Sequence, residues 1–501
     1  MPLEREVKLG AGPAFHLPDL TGVVEGVEVA SPETLRLETV YYDTPDLRLA
    51  RWGVSLRRRA GEGWTLKLAP GRSGDLLERD ELTFEGNGKR PPQAALEVVR
   101  AYVRNSELVP VARLSTVRRR VRLVDATGAR VAEVVDDEVS VRDGRRVAAR
   151  FREIEVEVAG TGGGEALVAP LVTRLRGAGA GAPDPTPKHI RALGPRAIEP
   201  PEVAAQPLPD GAAAKVVIRN ALADSVANLL HHDPLVRTGR DPEAVHQARV
   251  ATRKLRSNLR TFGPLLDPAW TEPLRLELGW LAFSLGAVRD REVLLDRLRG
   301  RAASLPASDQ RSASSLLHVL ELEIDALRDS LRADLDSQRY VDLLERLVLA
   351  AHQPATLPDA DQPAATLLPA MATSPWRRLR SAARQTSAKA PEAQTDPELH
   401  RIRILAKRAR YAAEAVAPVA LPASAFARAA AKLQTVLGEH QDSVTAQAWL
   451  RAAKVTGRRA FVAGELIALE HIAATRARAQ WPKAWKSLDR KRLQTWMPAT
   501  R

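Results

Sequence analysis

Three residues near the start of the chain, Glu4, Glu6 and Lys8, stand at every second position of EREVKL. Alternate side chains of a β-strand share a face. This spacing therefore sets two carboxylates and an ammonium on one side, and Arg5, Val7 and Leu9 on the other. The alternation returns in later segments. VSLRRR aligns Ser55, Arg57 and Arg59, WTLKL aligns Thr65 and Lys67, and ERDEL aligns Arg79 and Glu81. VRRRV aligns Arg118 and Arg120, AEVVD aligns Glu133 and Asp137, and REIEVEV aligns Glu153, Glu155 and Glu157. The chemistry open to such a set is phosphate chemistry. Guanidinium and ammonium groups bind phosphate oxygens, and carboxylates hold divalent cations that bridge those oxygens. One strand of this kind is an ordinary wet face of an antiparallel sheet. Repeated along one domain, it points to a closed barrel whose acids and bases face each other across a lumen.

A second set lies on helices. VHQARVATRKLRSNLR (245–260) and LHRIRILAKRARYAAE (399–414) align at His246 and His400. Basic residues then match at Arg249 and Arg403, Arg253 and Lys407, Lys254 and Arg408, and Arg256 and Arg410. LGAVRDREV and LGEHQDSV match further on, which marks an internal duplication. His246, Arg249, Arg253, Arg256 and Arg260 advance by steps of three and four residues. At about 100° per residue they fall within an arc of roughly 80°, a spacing that usually encodes an apolar seam. Here the apolar seam (Ala248, Ala251, Leu255, Leu259, Phe262) lies on the opposite side. A stack of like charges destabilises a lone helix, so two copies in matched register argue against a merely solvated face. In the second copy Glu414 takes the place of Arg260, so the copies are not equivalent. No carboxylate stands at ligand spacing beside either histidine, which argues against zinc.

The elements that must position these residues divide the chain of 501 residues in two. Residues 1–195 read as short strands separated by turns such as AGEG, DATG and RDG, with helices around 91–104 and 165–176. A proline-rich stretch, 196–214, reads as a linker. Residues 215–495 read as long helices in two halves, roughly 215–350 and 375–495. The fold class is thus α+β in two domains: an antiparallel β-barrel, then an all-α duplicated bundle. The net charge is +14, of which residues 201–501 carry +12 (44 Lys and Arg against 32 Asp and Glu). Such a bias suggests an anionic partner. Nucleic acid is the default guess, but aromatic residues make up only 4% of the chain, too few for a stacking platform. With no cysteine, disulfides, zinc–thiolate sites and thiol catalysis are excluded. Neither a secretory leader nor a membrane-length apolar run is seen, and a cytoplasmic protein is expected.

The first 195 residues resemble the CYTH domain, the triphosphate tunnel metalloenzyme fold. EREVKL stands as its ExExK signature, YYDTPDLRL (with Tyr41 and Asp43) as the segment after its second strand, SLRRR and TLKL as its phosphate-binding strands, and EIEVEV as its acidic strand. PKHIRAL supplies Lys188 where the family has a lysine near the domain's end. The resemblance implies an eight-stranded tunnel that binds a triphosphate. Glu4 and Glu6 would hold Mg²⁺ or Mn²⁺ and Lys8 would contact phosphate. Arg57, Arg59, Lys67, Arg79, Arg118, Arg120 and Lys188 would bind substrate. Further metal ligands would come from Glu133, Asp137, Glu153, Glu155 and Glu157, with the choice among the last three set by strand register. Residues 215–490 resemble the CHAD domain, which implies a groove for inorganic polyphosphate lined by His246, Arg249, Arg253, Lys254, Arg256, Arg260, His400, Arg403, Lys407, Arg408 and Arg410. Asp290 and Asp442 are expected to hold motif arginines in place. The activity expected is metal-dependent hydrolysis of inorganic triphosphate or short polyphosphate, with polyphosphate binding by the helices and association with polyphosphate granules. A non-catalytic polyphosphate receptor, an adenylate cyclase of the CYTH type and a DNA-binding helical half stand as alternatives.

Overall fold

The computed structural model describes residues 3–69, 71–73, 76–86, 88–158, 165–386 and 392–498; the side chains of 3, 4, 71–73, 76–79, 165 and 392–395 fall outside the described set. The chain forms two compact units, Met1–Glu202 and Val203–Arg501.

The first unit contains strands β1 (Leu3–Ala11), β2 (Val27–Val29), β3 (Glu33–Asp43), β4 (Ser55–Arg59), β5 (Gly63–Lys67), β6 (Gly71–Ser73), β7 (Leu76–Phe84), β8 (Val109–Asp125), β9 (Arg130–Asp143) and β10 (Arg146–Val158). Its helices are α1 (Arg48–Arg51), α2 (Gln93–Val98), α3 (Arg100–Val103), α4 (Glu165–Gly177) and α5 (Lys188–Leu193). The antiparallel order runs β1-β10-β9-β8-β3-β4-β5-β7, with β6 on β7 and β2 on β8. A further ladder, Leu3–Glu6 against Leu77–Asp80, joins β1 to β7 and curls the sheet onto itself. The alternation of EREVKL then has a physical cause. Val7, Leu9, Ile154 and Val156 face outward into a core closed by Leu171 and Leu175 of α4. With the outer face dry, parity forces Glu6, Lys8, Glu153, Glu155 and Glu157 inward. The helices expected around 91–104 and 165–176 are present. Strand β3 was implied only by the resemblance, which sets a strand before YYDTPDLRL; its own sequence, ETLRLETVYYD, alternates only in part.

The second unit is helical: α6 (Ala214–Thr238), α7 (Ala244–Thr261), α8 (Pro268–Ala302), α9 (Ala307–Asp336), α10 (Gln338–His352), α11 (Ala364–Met371), α12 (Thr373–Gln385), α13 (Glu392–Val416), α14 (Pro422–Ala452) and α15 (Arg458–Leu488). Leu294, Leu298, Leu317 and Leu320 share one core with Leu450, Val462 and Leu466, so the two copies are packed together and not strung out. The second copy has its own aromatic core around Trp376, Phe426, Trp481 and Trp485. Helices α7 and α13 pack on each other. Their apolar seams (Ala248, Ala251, Leu255 and Leu259; Ile402, Leu405, Ala409 and Ala413) are buried, as the periodicity predicts. Among the described residues no helix is long and apolar enough to cross a membrane.

The proline-rich stretch divides between the units. Glu202 accepts from Arg104 Nη1 (2.9 Å) and Trp52 Nε1 (2.8 Å) in the first unit. Val203 is buried in the second.

Candidate functional site

In the first unit the strand registers decide which charges meet. Glu6 stands opposite Glu157 and Lys8 opposite Glu155. Glu153 stands opposite Asp137, and Asp137 opposite Arg118. Helix α5 then places Lys188 into this acidic floor. Its Nζ lies 2.8 Å from Asp137 Oδ2, 2.9 Å from Glu153 Oε1 and 2.8 Å from Glu155 Oε1. Arg118 grips Asp137 with two hydrogen bonds of 2.8 and 2.7 Å and reaches Glu155 Oε2 at 3.3 Å. Lys8 pairs with Glu155 and lies 3.3 Å from Glu6 and 3.8 Å from Glu153.

Burial works against every charge here, and the partners decide the outcome. Desolvation opposes the Lys8 and Lys188 ammoniums, yet the surrounding carboxylates hold both above the usual lysine range. Desolvation also opposes Glu155 and Asp137, but Lys188, with Lys8 and Arg118 at Glu155 and Arg118 at Asp137, holds both carboxyls below the usual range. At Glu153 desolvation wins and its carboxyl is pushed up. A water-excluded cluster of fixed charge of this kind is preorganised for an ionic ligand.

One oxygen each from Glu6, Glu155 and Glu157 lies within 4.8 Å of the others, the spacing a metal ion needs. Beside them a cavity is lined by Lys8, Arg57, Arg59, Lys67, Arg118 and Lys188. Lys67 is 3.2 Å from Glu81, and Arg57 is 3.9 Å from the same residue. Arg59 donates to Thr39 and Glu62. Arg120 and Glu133 lie further along the same inward face: Glu133 stands opposite Glu157 and 4.0 Å from Arg120. Arg120 pairs with Glu33, while Glu133 meets Arg122 at 3.6 Å and Arg130 at 3.5 Å. Glu4 and Arg79 are paired across the β1–β7 ladder, and their side chains lie outside the described residues.

Asp43, in the segment YYDTPDLRL, has a structural role. It accepts from the backbone N–H groups of Thr44, Leu49 and Ala50, and burial still pushes its carboxyl up to about 6. Tyr41 lines the cavity and stacks on His189 at 5.2 Å. His189 and Arg191, which lies 3.6 Å from Glu153, were missed in the sequence, although both sit in PKHIRAL beside Lys188.

In the second unit the cationic faces of α7 and α13 meet. Arg249 pairs with Asp290 at 2.8 Å, and Arg403 lies 3.9 Å from Asp442, as the duplicated motif suggests. The glycine of each LG pair gives the arginine room. A Cβ on Gly286 would stand 3.7 Å from Arg249 Nε, and one on Gly438 would stand 3.8 Å from Arg403 Nε. Tyr411 lies between the copies, with the Arg253 guanidinium 5.7 Å and that of Arg410 5.5 Å from its ring centre. Lys407 is pushed down to about 7, by burial first and then by Arg253, Arg403 and Arg249. His246 is also pushed down, by burial first, with Glu243 opposing and Arg289, Arg249 and Arg253 adding to the shift. The second histidine, His400, meets Gln441 at 2.6 Å.

Position in the duplication decides which of the remaining cations are engaged. Arg410 donates to Glu414 at 2.7 Å. The Arg256 guanidinium passes over Gly279 of α8. Lys254 lines a separate cavity with Asp224, Tyr411 and Glu414. Arg275 and Arg289 on α8, absent from the sequence reading, face Arg260 and His246 respectively. Arg289 sits in the duplicated LGAVRDREV, at the place Gln441 holds in LGEHQDSV, whereas no local motif marks Arg275.

The CYTH domain profile matches residues 2–187 and the CHAD domain profile residues 220–451. An uncharacterized protein of Mycobacterium tuberculosis, found in two strains, is 34% identical over 97% of this chain and 96% of its own length. Among solved structures, PptA from Streptomyces chartreusis is 24% identical, with a TM-score of 0.45, over 55% of this chain and 99% of its own. The CHAD domain from the plant Ricinus communis is 27% identical, with a TM-score of 0.41, over 60% of this chain and 96% of its own.

Proposed function

The chain belongs to the proteins that join a CYTH domain to a CHAD domain, and from that premise we propose that its first unit is a metal-dependent hydrolase of inorganic triphosphate or short polyphosphate, while its second binds inorganic polyphosphate. The observation that carries this reading is the carboxylate triad of Glu6, Glu155 and Glu157 set against the cation-lined cavity.

The donor set fits a hard divalent ion. All three donors are carboxylate oxygens, and Oε1 of Glu6 is buried, makes no hydrogen bond and has the Lys8 ammonium 3.3 Å away. Glu6, Glu155 and Glu157 would hold Mg²⁺ or Mn²⁺, which supplies charge neutralisation for phosphate oxygens when bound. Asp137 and Glu153 orient Arg118 and Lys188 instead. Arg57, Arg59 and Lys67 seat the inner phosphates, and Lys8, Arg118 and Lys188 hold the terminal one. Water attacks the terminal phosphorus, and the bond to the bridging oxygen breaks. Its electron pair stays on the departing diphosphate, whose growing charge the guanidinium groups meet. In the second unit the crossed cationic helices hold a polyanion without chemistry, which would place the protein at polyphosphate-rich bodies.

The test is phosphate release from tripolyphosphate by the full-length protein under Mg²⁺, Mn²⁺ and EDTA, with ATP beside it. Metal-dependent release of phosphate is expected. Polyphosphate binding without release would favour the receptor reading, and cyclic AMP from ATP the cyclase.

A further inference from the structure

The duplicated helices are charged unequally at their two ends. At one end Arg260 faces Arg408, Arg275 and Arg256, and Glu272 is the acid facing it, ion-paired to Arg275. At the matching end of the second copy, Glu414 replaces Arg260 and neutralises Arg410 at 2.7 Å. A polyanion seated across α7 and α13 therefore meets a carboxylate on one side and open cations on the other.

The cationic side continues. A depression of about 520 Å³ lies between α12 and α13, lined by Arg378, Gln385, His400, Arg401, Ile404 and Arg408 among others, with no carboxylate among the described residues of its wall. Arg378 and Arg401 are exposed. On α13, Arg401 and Arg408 stand on the face next to that of His400, Arg403 and Lys407, about a third of a turn away. His400 borders both faces, so a chain leaving the crossing can pass into the depression without meeting an acid. The first copy lacks the counterpart, since Gln247 stands where Arg401 does.

We propose that the depression between α12 and α13 is an extension subsite that takes the overhang of a linear phosphate polyanion already seated on α7 and α13, so that the second unit favours long chains over short ones. This rests on the polyphosphate-binding reading of the crossing. The subsite is built for a flexible chain of closely spaced charges, because its cations come from two helices, Arg378 from α12 and Arg401 and Arg408 from α13, on either side of the depression.

The test titrates the full-length protein with tripolyphosphate and with long-chain polyphosphate across a salt series. The Arg378→Glu/Arg401→Glu variant changes only exposed residues. It should leave tripolyphosphate affinity within about twofold and weaken long-chain binding by about tenfold or more, with the salt slope reduced by about 1.4, from about 0.7 per phosphate contact on a single-stranded polyanion. Arg459→Glu/Arg476→Glu on α15 carries the same charge change and should do neither. Glu414→Arg should raise long-chain affinity by opening the blocked end. Equal losses for short and long chains, or equal losses from the α15 variant, would overturn the subsite while the crossing stands. Failure of wild type to bind either polyphosphate would overturn the crossing itself. Binding of duplex DNA that matches long polyphosphate in affinity and is lost in the same variant would overturn the choice of ligand.

Discussion

Arg253 and Lys407 occupy matched positions in two copies of one helix, and they meet where those helices pack, near enough that the guanidinium helps push the lysine down to about 7. Arg249 and Arg403 crowd the same ammonium, and Asp442 is the acid that offsets them. Duplication thus concentrates like charge at one point, and burial makes it costly. An anion seated there removes the cost.

The first prediction follows from the sign of that shift. Free Lys407 loses its proton as pH rises through about 7. A bound polyanion restores the charge, so binding takes up a proton above that pH. Affinity should rise as pH falls through 7, by at most about tenfold per unit for one linked proton. Calorimetry in buffers of different ionisation enthalpy measures the uptake directly. Lys407→Arg should bind as well as wild type at pH 6 and lose most of the pH dependence between 7 and 8.5. Retention of the full slope in that variant would reject Lys407 as its source. His246, also pushed down, should leave a smaller slope at lower pH.

The second prediction separates metal binding from folding. Glu157 is only partly buried, whereas Glu155 is met by Lys8, Lys188 and Arg118. Glu157→Gln should therefore cut metal-dependent phosphate release by about a hundredfold or more with little change in thermal midpoint. Glu155→Gln should also lose activity, but it should cost about 3–5 kcal/mol of stability, as expected when one partner of a buried ion cluster is removed. Equal melting of the two variants would contradict the buried charge cluster. Unchanged turnover in Glu157→Gln would remove that residue from the donor set.

The third concerns the LG pairs. A methyl group at Gly286 or Gly438 would make an ordinary contact with the arginine beside it, at 3.7 or 3.8 Å. A larger side chain would displace the guanidinium. Gly438→Ala should bind polyphosphate within about twofold of wild type, while Gly438→Leu should bind about tenfold more weakly, the loss of one charge-assisted hydrogen bond. No charge is altered in either variant. Equal binding by both would show that Arg403 does not need its position.

The fourth prediction uses the boundary between the units. A fragment ending at 202 keeps Glu202 on Arg104 and Trp52. One ending at 195 loses both hydrogen bonds. The longer fragment should unfold at higher urea, with a difference of about 1–3 kcal/mol. Identical midpoints would mean that the linker's first half adds no stability to the first unit.

Much of this was legible beforehand, and the reason differs by element. The inward charges of β1, β4, β5, β8, β9 and β10 were legible because a strand's period of two is local and leaves no choice of face. Helices α7 and α13 were legible twice over, by periodicity and by duplication. Strand β3 was legible only through the resemblance, and its register, which sets Thr39 beside Arg59, was not. The stacking of Tyr41 on His189 was likewise out of reach, because the partners are distant in sequence. Arg275 was missed for a related reason, since nothing local marks it and it gains its role from a neighbour, and Arg289, though inside the duplicated LGAVRDREV, shows its role only where α8 meets His246.

By itself the sequence determined the two-part plan, the charged lumen and the repeated cationic face, since each is written in spacings of a few residues. Only the tertiary structure decided which charges meet. It set Glu6, Glu155 and Glu157 within metal reach, locked Asp137 and Glu153 onto Arg118 and Lys188, and turned Arg120 to Glu33 and Glu133 to Arg122 and Arg130. It also brought the two cationic helices into one crossing. These pairings depend on register across the sheet and on packing between copies, and a one-residue slip in either would exchange the partners without altering any local pattern.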